Sequence, residues 1–234
     1  MINIGINGFG RIGRAIFKNL VFSKGFKIVH INELNPDIKN IVVVNDGSTD
    51  ESFHILKNLD VHLINHPINM GQGSAISTGF DYISKSDAEA LITFDADGQH
   101  SVEDAEVFAN AILNSKSDII FGSRFIKHSH NIPFLKRQVL TFATKITNFF
   151  SGMNLTDTHN GMKAIKKDAL SMIDIEINGY AFESELIQCV SRKKLKYSEL
   201  PTNIIYTKYS KLKGQSLMNG FIILEDLIKM WLKR

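Results

Sequence analysis

The chain reads as a doubly wound α/β protein: a mainly parallel sheet with helices on both faces. Three observations predict this. Short apolar runs such as Ile41-Val42-Val43-Val44 and Leu91-Ile92-Thr93-Phe94 have the continuous hydrophobicity of strands buried on both sides. Each runs into a Gly/Asp/Ser-rich turn, and between the runs lie stretches with helical apolar spacing, the alternation that produces βαβ units. The first such unit carries a G-x-G-x-x-G at its strand-to-helix turn.

In chain order, residues 2–6 are the first strand, followed by Asn7-Gly8-Phe9-Gly10-Arg11-Ile12-Gly13 and a helix whose apolar face is Ile12, Ala15, Ile16 and Leu20. Gly8 and Gly10 are nucleotide-binding candidates, because glycines at such a turn let a pyrophosphate approach a helix N-terminus. Residues 27–32 form a second strand ending at Glu33, where a ribose-binding acid belongs in a dinucleotide fold. The strand at 41–44 leads into Asn45-Asp46-Gly47-Ser48-Thr49-Asp50, where Thr49 or Asp50 can cap a helix running through Leu56. A strand at 61–65 and the loop Asn69-Met70-Gly71-Gln72-Gly73 precede a helix with Ile76, Gly79, Phe80 and Ile83 on one face. The strand 91–94 follows, then a helix aligning Ala105, Phe108 and Ile112, then a strand and turn over 118–125.

Past the strand at 91–94 comes Asp95-Ala96-Asp97-Gly98-Gln99. Two carboxylates one residue apart at the C-terminal end of a strand can converge on one hard cation, and Gly98 lets the chain turn so that Gln99 points back at it. Asp95, Asp97 and Gln99 are therefore the candidate ligands of Mg2+ or Mn2+, with open positions for a diphosphate.

The second half is less regular. Residues 138–150 form an amphipathic helix with Val139, Phe142, Ala143, Ile146, Phe149 and Phe150 on one face, which is expected to pack in the core. The polar turn Thr156-Asp157-Thr158-His159-Asn160-Gly161-Met162-Lys163 follows, with His159 expected to be a solvated loop histidine. Glu183 and Glu185 open a helix from Phe182 to Val190, where acids suit the helix dipole. The segment from about 216 to 233 is rich in apolar residues, with Trp231 near Lys229, Lys233 and Arg234 and further lysines at 208, 211 and 213. It suits a membrane interface; packing on the sheet or on a partner protein is the alternative.

Composition sets outer limits. The 234 residues fit one compact domain, and 44% hydrophobic with 22% charged residues is ordinary for a globular chain. A net charge of +3 gives no case for nucleic acid as a partner. The single cysteine, Cys189, excludes a cysteine zinc cluster and an internal disulfide, and its helical setting reads as a small buried residue. With no secretory signal and no apolar run near the ~20 residues of a spanning helix, the expected location is the cytoplasm, peripheral at the inner face of the membrane.

Two resemblances add to this. Residues 1–40, with I-G-I-N-G-F-G-R-I-G-R and a strand ending I-N-E-L, resemble the amino terminus of glyceraldehyde-3-phosphate dehydrogenase. No Ser-Cys-Thr-Thr-Asn nucleophile segment follows, so that activity is ruled out and only nucleotide binding is implied. From residue 41 to 234, V-V-N-D-G-S-T-D, N-M-G-Q-G, T-F-D-A-D-G-Q-H, G-S-R-F and D-T-H-N-G-M-K-A resemble family-two glycosyltransferases of the GT-A fold, most of all polyprenyl-phosphate sugar transferases of the dolichol-phosphate-mannose-synthase type. The resemblance implies an inverting, metal-dependent transfer from a UDP- or GDP-sugar to a polyprenyl phosphate or glycan acceptor. It implies that Asp46, with Asp50 beside it, contacts the donor, that Asp95 joins donor binding through the metal, and that Arg124 faces phosphate. It places Asp157 near the acceptor as a positioning or acid/base group, with Glu183 a further base candidate. Lys163, Arg137 and Lys136 are then available for an acceptor phosphate. The family's usual opening, a strand followed by Pro-x-Tyr/Phe-Asn-Glu, is absent. Residues 2–6 and their helix are the favoured substitute for that unit, with strand 27–32 as the competing one. A hybrid that binds nucleotide without efficient transfer is the alternative function.

Overall fold

The computed structural model describes residues 2–7, 38–59, 61–95, 100–126, 132, 134–179 and 181–204. Within them the strands are β1 (Ile2–Asn7), β2 (Ile38–Asp46), β3 (His62–His66), β4 (Ala90–Asp95), β5 (Ile119–Ser123), β6 (Lys163–Lys166) and β7 (Tyr197–Pro201). The helices are α1 (Ser52–Lys57), α2 (Gln72–Ser84), α3 (Val102–Asn114), α4 (Phe134–Ser151), α5 (Lys167–Leu170) and α6 (Phe182–Arg192). One sheet joins the strands in the order β3-β2-β1-β4-β6-β5-β7.

Period two explains why both faces are covered. Leu91, Ile119, Ile165 and Val42 point into one core, packed by Ile76, Phe80 and Ile83 of α2 and by Leu186, Ile187, Cys189 and Val190 of α6. Their neighbours Ile92, Ile120 and Ala164 point the other way, against Ala105, Phe108, Ala109 and Ile112 of α3. Val43 meets Leu56 of α1 on that second side. Helix α3 begins at Ser101, whose Oγ accepts from the Asp104 N–H at 3.1 Å, with Glu103 and Asp104 in the first turn where the dipole favours acids.

β1 pairs in parallel with both β2 and β4, so residues 2–7 stand between them in the sheet. The turn Gly8–Gly13, its helix, residues 27–32 and Glu33 lie outside the described residues. β6 runs antiparallel between β4 and β5, a reversal the sequence reading did not anticipate. The expectations for strands 41–44, 61–65 and 91–94 and for helix 182–190 agree with β2, β3, β4 and α6.

The expectation for α4 is overturned. Phe142 is 65% exposed and Phe149 83%, with Val139 also exposed, while the face turned inward carries Thr144, Thr147 and Ser151. The apolar period was real but its direction was not. The hydroxyl face is drawn in because the loop at 153–158 satisfies it. Asn148 Nδ2 donates to the Leu155 carbonyl at 2.8 Å, its Oδ1 accepts from Leu155 N–H at 3.1 Å, and the Thr144 and Thr158 hydroxyls meet at 3.2 Å.

Candidate active site

The topology gathers the candidate residues on one sheet edge. β1, β2 and β4 are mutually parallel and end at Asn7, Asp46 and Asp95. Asn7 is in register with Asp95 on one side and Val44 on the other. β5 ends at Ser123, just before Arg124, and the antiparallel β6 begins on the same edge at Lys163, in register with Thr93. Successive strands depart in opposite directions from β1, so the C-terminal ends of β1 and β4 flank a topological switch point, where open α/β sheets take their ligands. Asp95 closes β4 at that crevice; Asp97 and Gln99 lie outside the described residues, as do Gly8 and Gly10. Among the described residues, no group of three His, Cys, Asp or Glu side chains is arranged to hold a metal.

Asp46 organises one flank. Its Oδ1 accepts from Met70 N–H at 2.8 Å and lies 2.8 Å from His66 Nδ1, and its Oδ2 accepts from Gly71 N–H at 2.8 Å. The carboxylate thus ties loop 69–71 to the end of β2. Asp50 turns to α1, its Oδ1 accepting from Ser52 N–H at 3.0 Å and from the Ser52 hydroxyl, as the capping alternative required. His66 completes the flank through Nε2 to the Thr78 hydroxyl at 3.0 Å; sequence reasoning missed it, since nothing local marks a histidine that ends a strand.

The loop N-M-G-Q-G is locked from outside by residues 177–178. Gly71 sits at φ +97°, and the Gly73 N–H donates to the Asn178 carbonyl at 2.9 Å. A Cβ on Gly73 would lie 1.8 Å from the Ile177 carbonyl oxygen, a backbone atom that cannot swing aside. Gly73→Ala should therefore lower stability by about 1–3 kcal/mol, as overpacking does, read as a lower urea midpoint. An unchanged midpoint would mean that the 177–178 segment does not press on α2.

The other flank is a buried charge cluster. Asp157, 1% exposed, accepts from Arg124 Nε at 2.6 Å and from Arg124 N–H at 3.1 Å through Oδ2, and from His159 N–H at 3.2 Å through Oδ1. Arg124 also donates from Nη2 to the His159 carbonyl. Glu183 forms an ion pair with Lys163 at 2.5 Å, and the Lys163 ammonium donates to the Asn160 carbonyl at 2.7 Å. Arg124, Asp157, Lys163 and Glu183 are thus brought together, as two ion pairs joined through the turn 157–163. Arg137 is exposed on α4.

His159 is not the solvated loop histidine expected. Burial lowers its pKa to about 4, reinforced by Arg124 and Lys163 and opposed by Asp157. Its Nδ1 lies 2.9 Å from the Thr158 hydroxyl. Glu199, on β7, is the residue sequence reasoning missed altogether. It accepts from Thr156 N–H at 2.9 Å, from the Thr156 hydroxyl at 2.9 Å and from Asp157 N–H at 3.3 Å, and so sets the height of the Asp157 turn. Burial raises its pKa, against the hydrogen bonds from Thr156 and Asp157 that lower it.

Residues 28–173 match the family described as Glycosyl transferase family 2. Over 194 residues the chain is 36% identical to an uncharacterised protein of Methanocaldococcus jannaschii, covering 81% of this chain and 80% of that one. It is 31% identical over 228 residues to a UDP-N-acetylglucosamine–dolichyl-phosphate N-acetylglucosaminyltransferase of Methanococcus voltae, covering 88% and 91%. A polyprenol monophosphomannose synthase of Mycolicibacterium smegmatis is 27% identical, with 82% and 74% covered. Among solved structures, glucosyl-3-phosphoglycerate synthase of Mycobacterium tuberculosis, bound to Mn2+, UDP and phosphoglyceric acid, superposes with a TM-score of 0.65 at 12% identity, over 98% of this chain and 78% of the other. That likeness establishes the GT-A fold.

Proposed function

Since the chain belongs to glycosyltransferase family 2, we propose that it moves a sugar from a UDP- or GDP-sugar onto a polyprenyl phosphate, with inversion and with Mg2+ or Mn2+ as cofactor. The observation that carries the acceptor class is the state of the two candidate bases. Asp157 already accepts from Arg124 and from the His159 N–H, and Glu183 is paired with Lys163. Neither carboxylate is placed as a free base for a sugar hydroxyl, whereas a phosphate arrives as an anion and needs no proton removed. Relatives named for dolichyl-phosphate, polyprenol and undecaprenyl-phosphate transfer support the same class.

In this reading the acceptor phosphate oxygen bonds to the anomeric carbon as the bond from that carbon to the donor diphosphate breaks, and the nucleoside diphosphate leaves with the electron pair. Attack opposite the leaving group inverts the centre. Asp95, Asp97 and Gln99 would hold the divalent ion at the switch point, and the ion would offset charge gathering on the leaving diphosphate. Asp46 keeps loop 69–71 against the donor crevice, while Arg124 and Lys163 fix the 157–163 turn and contribute positive potential to the acceptor side.

The test supplies UDP- and GDP-sugars, Mn2+, and either a short-chain polyprenyl phosphate or the matching free polyprenol, following nucleotide release and lipid-linked sugar. Product is expected with the phosphate alone, and EDTA should remove it. Equal transfer to the free alcohol overturns the acceptor assignment, and activity that survives EDTA overturns the metal. Failure with every donor would leave nucleotide binding as the chain's function.

A further inference from the structure

Helix α4 is built inside out. Thr144, Thr147 and Ser151 recur at i, i+3 and i+7 on the face turned to the protein, all of them buried. On the opposite face Phe142, Lys145 and Phe149 repeat the same spacing, with Phe134 two turns earlier. Phe134 is 76% exposed, Phe142 65% and Phe149 83%. Three phenylalanines along one stripe exceed the scattered single apolar residues of an ordinary surface. The helix Phe-Leu-Lys-Arg-Gln-Val-Leu-Thr-Phe-Ala-Thr-Lys-Ile-Thr-Asn-Phe-Phe-Ser contains no acidic residue, and its cations Arg137 and Lys145 are exposed.

We propose that the outer face of α4 is a lipid-docking surface, with Phe134, Phe142 and Phe149 entering the interface of an anionic bilayer and Arg137 and Lys145 meeting its headgroups. The charge pattern selects this occupant. A helix lying in a bilayer interface needs an apolar stripe with cations and no acids beside it, and α4 has all three. A second copy presenting the same face would set these cations against each other. The inward face gives the docking a consequence, because Thr144 and Asn148 hold the segment 155–158 that carries Asp157. The candidate acceptor side is therefore fastened to the helix that would lie on the lipid. The choice of lipid as occupant rests on the polyprenyl-phosphate reading above; the surface itself does not.

The full-length protein is sedimented with phosphatidylcholine vesicles containing or lacking phosphatidylglycerol, without donor or metal. Wild type should partition onto the anionic vesicles, and the double variant Phe142→Ser/Phe149→Ser should lose at least about tenfold in partition coefficient. Arg137→Glu/Lys145→Glu should lose binding to anionic vesicles specifically, and added salt should mimic part of that loss. The melting temperature of the serine variant should match wild type, because the removed rings face outward. Unchanged vesicle binding in that variant overturns the proposal. A melting temperature several degrees lower would mean that the face is covered by the chain itself, and a wild-type dimer made monomeric by the serines would assign it to a second copy; either result overturns it. Transfer to a short, micelle-free polyprenyl phosphate separates the two readings. An enzyme active on that acceptor but indifferent to vesicles keeps the function and loses the docking face, and a vesicle-binding protein with no transfer does the reverse.

Discussion

Replacing Asp157 by alanine is expected to lower the unfolding free energy by about 3–5 kcal/mol, the cost of leaving a buried charge without its partner. The partner is Arg124, itself only 7% exposed, which would keep its guanidinium in the protein with the Nε contact gone. The backbone N–H groups of Arg124 and His159 lose their acceptor in the same step. Urea denaturation at neutral pH reads the effect directly. Removing both charges in an Arg124→Met/Asp157→Leu variant should recover much of the loss, since an apolar pair of similar volume replaces a buried ion pair at little cost. Should Asp157→Ala cost less than about 1 kcal/mol, the ion pair does not hold the 157–163 turn, and Arg124 would be available to a phosphate as the motif G-S-R-F first suggested.

How far the fold could be read in the residues depended on the range of the contacts. Strands β2 and β4 declare themselves, because Val42-Val43-Val44 and Leu91-Ile92 are buried alternately on two faces by helices whose own stripes are legible. β6 and β7 do not. Lys163-Ala164-Ile165-Lys166 is four residues long, and its strand character comes from pairing with residues far away in the chain, on β4 and β5. For the same reason Glu199 escaped notice, since its partners Thr156 and Asp157 lie more than 40 residues before it. Asp157 and Arg124 were identified as site residues from their motifs, but the contact between them depends on Ser123 and Thr156 meeting at 2.6 Å, which neither motif encodes. Helix α4 marks the sharpest limit. Its period located the apolar face correctly, but a period cannot tell inward from outward when the opposite face has a loop to bond.

Stability should also fall as the pH is lowered from about 6.5 to about 4, and His159 alone should account for roughly 3 kcal/mol of it. In the folded protein the imidazole is kept neutral, chiefly by burial, with a pKa of about 4 against 6.5 for an ordinary histidine. Between those values the unfolded chain binds the proton and the folded one does not, so acid favours unfolding across that window; above it the contribution is complete. Glu199 acts in the opposite sense. Its folded pKa is raised above 4.5, so through that window the folded state takes up the proton first and gains stability as the pH falls. The net curve mixes the two, and His159→Gln separates them: relative to wild type, the variant should lose the descent between 6.5 and 4 and retain the contribution of Glu199. Nuclear magnetic resonance titration of the folded protein gives an independent reading, and an imidazole titrating near 6.5 would sink the assignment. The Asp157→Ala variant supplies the control on mechanism. Asp157 is the one charge that raises the His159 pKa, so its removal should push that pKa lower still and steepen the loss of stability in acid.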